Sequence, residues 1–273
     1  FRLIISDENV GPQKNTKRVM NACKGKFLAF IEGDDYWTDP KKLQKQYDFL
    51  NTHPEYAMVH TNYDVFYEQD GNFDRNIHSS MHGRSLEGKI YDDLLRYNFI
   101  GTCTVLIRSE LAHRAIQDLK LYDGGWQMGD RPLWLEIARQ YEVGYLPDST
   151  AVYRINKGSM SHSHFKHKTY KFFESSYTIR LWFIEKYGCS DETREIVLND
   201  FNSYKLEYGY LLNRKELADE AVRYFKSNKA MNFSRRLYHF GSRSLLCKAA
   251  VKAVFLLHGR NPVSDKRRVT SDE

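Results

Sequence analysis

The chain has 273 residues, of which 41% are hydrophobic and 14% aromatic, a composition typical of a folded globular protein rather than a disordered one. Its formal charge of +6 suits an anionic ligand or an anionic membrane surface and is too small to indicate nucleic-acid binding. No stretch is apolar for long enough to span a bilayer, and the four cysteines lack the spacing of a disulfide framework or a zinc site, which favours a reducing compartment.

In the first part of the chain, short apolar runs alternate with helical patterns, as in βα units. Residues 1–5 are strand-like at the very start, from which we expect further sequence to precede them. A turn at residues 9–12 leads into a predicted helix over residues 16–23, which a Lys-Gly pair terminates. The apolar run at residues 27–31 predicts a buried strand, and its continuous hydrophobicity is typical of a parallel one.

Three carboxylates follow that strand within four residues: Glu32, Asp34 and Asp35. Ligands of open α/β sheets bind outside the carboxyl ends of the strands, so a binding site is expected here. Like charges this close are costly unless a cation neutralises them or a proton is retained. A hard divalent ion that leaves coordination positions for substrate phosphates fits best. Acidic residues after a strand can also be turn or cap residues, the interpretation we favour for Asp39.

The later elements continue the same pattern. Residues 38–40 predict the start of a helix, with a capping residue and a proline near the first turn. Residues 56–63 and 101–108 predict two more strands, and the polar residues 68–86 between them predict a long loop. From about residue 165 onward the pattern is helical.

The C-terminal part is basic and amphipathic. Residues 235–268 contain nine Lys or Arg and one Asp, interleaved with large apolar residues, which predicts one basic amphipathic helix or a pair. Two interpretations remain open. The apolar face could enter a membrane surface while the cations meet anionic lipids, or the helix could pack against the rest of the protein with a solvated basic face.

Residues 27–50, FLAFIEGDDYWTDPKKLQKQYDFL, resemble the metal-binding D-x-D region of glycosyltransferase family 2, in the variant that begins with glutamate. The preceding NVGPQKNTKRVMNACKGK resembles the helix and glycine that lead into this strand in the family. The resemblance covers about the first 150 residues. It implies a GT-A fold, which is a Rossmann-like mixed α/β sheet with flanking helices, and a nucleotide-diphospho-sugar donor bound with Mn²⁺ or Mg²⁺.

The resemblance also implies roles for individual residues. Asp35 would be the principal metal ligand, Asp34 would contact the ribose or share the metal, and Glu32 would support the site. The segment QMGDRPLWL resembles the family motif whose aspartate is the general base, and Asp130 occupies that position. A carboxylate there would take the proton of the acceptor hydroxyl in an inverting transfer. The alternative is that Asp130 only caps a helix begun by Pro132.

A third segment, AVYRINKGS, resembles the Val-Tyr-Arg-x-His-x-Gly segment that closes the catalytic domain, with Asn156 at the histidine position. Arg154 or Lys157 could supply positive charge to the diphosphate. His162 and His164 could replace the missing histidine, although a solvated loop explains all four residues equally well. Arg18, on the helix before the acidic cluster, could face the phosphates, but a solvated helix face is the simpler explanation.

We therefore predict a GT-A catalytic domain at residues 1–160, a helical extension at 161–233, and a basic amphipathic helix with a polar tail at 234–273. The expected activity is metal-dependent inverting transfer of a sugar to a glycan or lipid-linked acceptor, in bacterial cell-surface polysaccharide biosynthesis. The expected location is the cytoplasm, at the inner face of the membrane, with peripheral contact through residues 235–268. The rival hypotheses are a nucleotidyltransferase and a sugar-binding relative that has lost catalysis.

Overall fold

The computed structural model of the chain describes residues 2–81, 85–122, 125–156 and 166–257. A mixed α/β part comes first, and five helices follow it, which confirms the predicted fold class. The strands are β1 (Phe27–Ala29), β2 (Tyr36–Trp37), β3 (Tyr56–Tyr67), β4 (Asn72–Asp74), β5 (Leu106–Arg108) and β6 (Glu142–Ile155). The helices are α1 (Pro12–Ala22), α2 (Lys42–Thr52), α3 (Tyr91–Arg96), α4 (Ser109–Leu119), α5 (Asp130–Gln140), α6 (Lys166–Tyr187), α7 (Asp191–Leu211), α8 (Lys215–Ser227), α9 (Phe233–Gly241) and α10 (Leu245–Leu257). Short 3₁₀ turns lie at Ile77–Ser80 and Thr102–Thr104.

The described strands form one sheet in the order β1-β5-β3-β6-β2, with β4 paired to the end of β3. The long strands β3 and β6 are parallel, and every other pairing is antiparallel. The prediction of a buried, parallel strand at residues 27–31 is therefore wrong in two respects: β1 pairs antiparallel with β5, and of its three residues only Leu28 is buried. The run is apolar for another reason: Phe27 packs against Tyr47 of α2, and Phe30 packs against Trp134 of α5.

The main core connects the sheet with helices from both parts of the chain. It includes Trp134 and Leu135 of α5, and also Ile179 and Phe183 of α6. The guanidinium of Arg131 donates to Ser176 of α6 at 2.9 Å and to the Leu94 carbonyl of α3 at 3.0 Å. Helix α6 thus shares its core with the sheet. Its Ser176 also accepts a hydrogen bond from Arg131, near the N-terminal end of α5. The predicted domain boundaries at 160 and 233 stay predictions.

Several local predictions differ from the structure. Residues 2–10 contain no strand, and Leu3 and Ile5 are exposed. The predicted strand at 101–108 begins as the Thr102–Thr104 turn and becomes β5 only at Leu106. The predicted loop at 68–86 contains β4 and a 3₁₀ turn, and residues 82–84 lie outside the described part of the chain.

The remaining helices form smaller apolar clusters. Helices α7 and α8 approach closely at Gly209, where an added Cβ would lie 2.9 Å from the backbone nitrogen of Ala218. The predicted basic amphipathic segment forms two helices, α9 and α10, and α10 packs Val251 and Phe255 against Tyr210 of α7. Among the described residues, no helix has the length and hydrophobicity needed to cross a membrane.

Candidate active site

The acidic cluster lies between β1 and β2, beside the end of β6. Strand β2 pairs with β6 at Ala151 and Val152, which brings the preceding carboxylates to the residues that follow in β6. Oδ1 of Asp35 accepts a hydrogen bond from the backbone N–H of Arg154 at 2.9 Å. Oδ2 of Asp34 accepts one from the side-chain amide of Asn156 at 3.0 Å. Asn156, at the position of the family's histidine, therefore contacts the acidic cluster directly.

Asp130 is the first residue of α5, and the structure brings it to the same place. The helix cap is Gly129, so Asp130 is not the cap residue and the helix begins before Pro132. The hydroxyl of Thr102 donates to Oδ2 of Asp130 at 3.3 Å. The charge of Asp130 also acts on Glu32, whose pKa it helps to raise. Two segments that are far apart in sequence thus form one acidic site.

The electrostatics of this site disfavour full ionisation. Desolvation, and then the charges of Asp130, Asp35 and Asp34, raise the pKa of Glu32 to about 7. Glu32 is an exposed residue overall, but its carboxyl group is crowded by these neighbours. Burial is also the largest cause that raises the pKa of Asp35, and the N–H of Arg154 opposes it. The site holds more negative charge than its surroundings neutralise.

The 3₁₀ turn at Thr102–Thr104 connects the two halves of the site. Thr102 contacts Asp130, while burial and the charge of Asp35 raise the pKa of the neighbouring Cys103 thiol well above its usual range. The indole N–H of Trp37 donates to the Cys103 carbonyl at 2.9 Å. The predicted strand at residues 101–108 does not account for this turn; the small polar residues after Gly101 were the available signal.

A buried polar pair supports this turn from α2. The ammonium of Lys42 donates to Gln46 at 2.6 Å, and Gln46 donates to the Thr104 carbonyl at 2.8 Å. Burial lowers the pKa of Lys42 to about 8. The apolar Leu43 and Tyr47 of the same helix are instead exposed, so α2 presents polar side chains to this part of the core.

The residues of the acidic site fit a divalent cation. Oδ2 of Asp35 is buried, and no nitrogen or oxygen donor of the described residues binds it; the weakly donating thiol of Cys103 is the hydrogen-bonding group beside this carboxylate. Carboxylate oxygens are the ligands that hard cations prefer. No group of three or more His, Cys, Asp or Glu side chains in the described part of the chain could hold a metal ion by itself. The site therefore suits an ion held by one or two carboxylates, with the remaining ligands supplied by a bound phosphate group and water.

The predicted cationic residues have mixed positions. Arg154 contacts Asp35 through its backbone, and its guanidinium lies 3.9 Å from Glu68 and over the ring of Tyr36. The guanidinium of Arg18 donates to the Ile5 carbonyl, so its described contact is with the N-terminal segment and not with the acidic cluster. Lys157, His162 and His164 lie outside the described residues.

Comparison with known protein families assigns the first part of the chain to a family. Residues 1–113 match the family described as Glycosyl transferase family 2, so this part of the chain is a domain of that family. The matched region includes the acidic cluster and ends before Asp130. The assignment of Asp130 therefore depends on the motif resemblance and on the geometry.

Several curated proteins are similar to the chain. An uncharacterized protein of Mycobacterium tuberculosis is 35% identical over 175 residues, which are 64% of this chain and 47% of the relative. A putative teichuronic acid biosynthesis glycosyltransferase of Bacillus subtilis is 24% identical over 191 residues, which are 69% of this chain and 70% of the relative. An uncharacterized glycosyltransferase of Methanocaldococcus jannaschii is 22% identical over 195 residues, covering 69% of this chain and 61% of the relative. The match thus spans about half the length of the mycobacterial relative.

Proposed function

We propose that this protein is a metal-dependent, inverting glycosyltransferase that moves a sugar from a nucleotide-diphospho-sugar to a hydroxyl of a glycan or lipid-linked acceptor. The observation that carries the proposal is that Asp130 lies close enough to the acidic cluster to raise the pKa of Glu32, while Thr102 of the 3₁₀ turn donates to Asp130. Transfer of this kind needs a positive charge near the leaving diphosphate and a base near the attacking hydroxyl. The acidic cluster would hold the cation that carries the positive charge, and Asp130 would be the base.

Asp35 is the proposed principal ligand of Mn²⁺ or Mg²⁺, with Asp34 and Glu32 in support. The buried Oδ2 of Asp35, which no nitrogen or oxygen donor of the described residues binds, supports this role. When bound, the cation would neutralise the negative charge that develops on the nucleoside diphosphate as it leaves. The N–H of Arg154 and the amide of Asn156 each hold one carboxylate oxygen, which fixes the orientation of Asp35 and Asp34.

Asp130 is the proposed general base. Its carboxylate accepts the proton of the acceptor hydroxyl as that oxygen attacks the anomeric carbon from the side opposite the diphosphate, so the configuration inverts. The hydroxyl of Thr102 holds Oδ2 of Asp130 and restricts its rotation. Arg154 and Arg18 are proposed contacts of the donor diphosphate. Arg18 would first have to release the Ile5 carbonyl.

We place the reaction in bacterial cell-surface polysaccharide biosynthesis, in the cytoplasm at the inner face of the membrane. The support is the similarity to the Bacillus subtilis protein, whose name describes teichuronic acid biosynthesis. The donor sugar and base, and the linkage formed, are to be found by a donor screen that follows the release of nucleoside diphosphate.

Calorimetric titration with nucleoside diphosphates, with and without Mn²⁺, tests the metal half of the proposal. We expect binding that depends on the cation and is lost in Asp35→Asn. The matched control is Asp39→Asn, whose carboxylate pairs with Lys45 at 2.8 Å and should not affect binding. Equal binding without the cation, or equal loss in both variants, would contradict the assignment of Asp35.

The products separate the rival activities. A glycosyltransferase releases nucleoside diphosphate from its donor, whereas a nucleotidyltransferase releases pyrophosphate. Release of pyrophosphate would contradict our proposal and identify the protein as a nucleotidyltransferase. Cation-dependent binding with no turnover of any donor would identify a sugar-binding relative without catalysis.

A further inference from the structure

Helix α10 carries an apolar surface on its outer side. Leu245, Leu246 and Leu256 are 72%, 85% and 58% exposed. The small residues Ala249 and Ala253 lie between them at helical spacing and are also exposed. We call these five residues the outer face of α10. A soluble helix normally turns a polar side to water, so this surface is unusual.

The opposite side of α10 is already occupied. Val251 and Phe255 are buried against Tyr210 and Tyr238. Lys248 also points inward, since its ammonium donates to the Leu211 carbonyl at 2.7 Å. These contacts fix the orientation of α10, so the outer face points away from the core of the protein.

The charged side chains of α9, of α10 and of the turn between them all have one sign. The sequence from residue 233 to residue 257 contains five Lys or Arg and no Asp or Glu. Arg236, Arg243 and Lys252 are exposed, and none of them forms an ion pair with another described residue. Phe240, 45% exposed, extends the apolar surface to the end of α9.

We propose that the outer face of α10, with the cations of α9 and of the α9–α10 turn, docks on an anionic membrane surface. Apolar side chains would enter the boundary between headgroups and acyl chains, and the cations would meet anionic lipids. This surface lies outside the proposed sugar-transfer site, so the inference does not depend on that function.

Two other occupants fit the charges less well. A second copy packed through the same surface would place its own Arg243 and Lys252 against those of the first, because a two-fold interface uses the same patch on both chains. The sequence after α10, residues 258–273, contains only two large apolar residues, Val263 and Val269, among many charged ones. It has too little apolar surface to cover three exposed leucines.

An open depression beside this surface suits a lipid headgroup. It has a volume of about 420 Å³ and lies between α8 and α9. Lys226, Arg236 and Arg243 contribute to its lining, with Phe240 as an apolar wall. The fourth titratable group there is His239, which is held by Asp219 of α8 at 2.7 Å. The phosphate of an anionic headgroup would be attracted to the three cations.

Vesicle flotation of the whole chain tests the proposal. The probes are vesicles of equal parts phosphatidylglycerol and phosphatidylcholine, and vesicles of phosphatidylcholine alone. We expect binding to the anionic vesicles that weakens with salt, and a gain of about fivefold in affinity per contacting cation. Leu245→Glu/Leu246→Glu should weaken this binding at least about tenfold, because both side chains would otherwise be buried in the membrane.

Two further variants complete the experiment. Arg236→Gln/Arg243→Gln should weaken binding to the anionic vesicles and reduce its salt dependence. Leu43→Glu, at a leucine of α2 that is 40% exposed, is the matched control and should bind like the unaltered chain. Circular dichroism melts verify that each variant is folded.

Three results would overturn the proposal. The first is that the unaltered chain does not float with anionic vesicles. The second is that Leu245→Glu/Leu246→Glu binds as well as Leu43→Glu. The third is that light scattering shows a dimer of the unaltered chain, that Leu245→Glu/Leu246→Glu is a monomer, and that no vesicle binding is found. That result would assign the outer face of α10 to self-association. The first result would also contradict the proposed location at the membrane; the proposed chemistry is tested separately, by donor turnover.

Discussion

Between pH 7 and pH 5, two buried histidines, His60 of β3 and His78 of the 3₁₀ turn at Ile77–Ser80, should lower the free energy of unfolding. His60 and His78 are fully or almost fully buried, with ring centres 5.4 Å apart. Nε2–H of each donates to a backbone carbonyl at 2.8 Å, that of Leu86 and that of Phe99. Neither Nδ1 has a hydrogen-bond partner in the described part of the chain, so a proton there would be a buried and uncompensated charge.

The sign and the size follow from the pKa values. Burial lowers the pKa of His60 to about 3 and that of His78 to about 4, whereas an unfolded histidine has a pKa of about 6.5. Below about pH 6.5 the unfolded chain binds protons that the folded chain does not, so the free energy of unfolding falls as the pH falls. At pH 5 the loss is about 2 kcal/mol for each histidine.

Urea unfolding at pH 7 and pH 5, followed by tryptophan fluorescence, measures the net change, to which Glu32 with its raised pKa contributes with the opposite sign. The difference between a histidine variant and the unaltered protein isolates the contribution of that histidine. His60→Gln and His78→Gln should each lose about 2 kcal/mol less between the two pH values than the unaltered protein does. His167→Gln, at an exposed histidine of α6, is the control and should show the full loss. If all three variants lose as much stability as the unaltered protein, the two buried histidines do not control its acid sensitivity.

Three substitutions test the packing and the site. Trp134→Ala should lower the free energy of unfolding by about 3–5 kcal/mol, because the side chain is 1% exposed; a loss below about 1 kcal/mol in denaturant would contradict this. Gly209→Ala should cost about 1–3 kcal/mol in the same assay, because its Cβ would collide with the backbone of α8; unchanged stability would show that α7 and α8 can separate there. Thr102→Val should lower kcat about tenfold without changing the donor KM, and Thr102→Ser should keep a kcat near normal. A change in KM alone would contradict a role of Thr102 in orienting Asp130.

Local signals predicted the acidic half of the site. The apolar run before Glu32 and the stop signal after α1 place a strand and then the carboxylates in the correct order, and the structure has β1 and the acidic cluster there. The start of the long strand β3 was equally predictable, since Ala57, Met58 and Val59 form an apolar run and are buried. These features are determined by residues that are close together in the sequence, so one sequence is enough to predict them.

Features that depend on distant partners could not be predicted. The direction of β1 is set by its pairing with β5, about which the run at residues 27–31 carries no information. Lys42 and Gln46 are buried because they satisfy the carbonyl of Thr104, a contact that hydrophobic periodicity cannot indicate. For the same reason the Thr102–Thr104 turn was predicted as strand, although it joins the two halves of the site.

We propose that Asp130 removes the acceptor proton while the acidic cluster binds the donor. The most direct measurement compares Asp130→Asn with the unaltered protein in two assays, donor turnover and Mn²⁺-dependent binding of nucleoside diphosphate. We predict a loss of turnover of at least about 100-fold, with diphosphate affinity within about twofold of normal. Asp148→Asn, at an exposed carboxylate that pairs with Lys45, should change neither quantity. An equal loss of turnover and binding in Asp130→Asn, or unchanged turnover, would contradict the account.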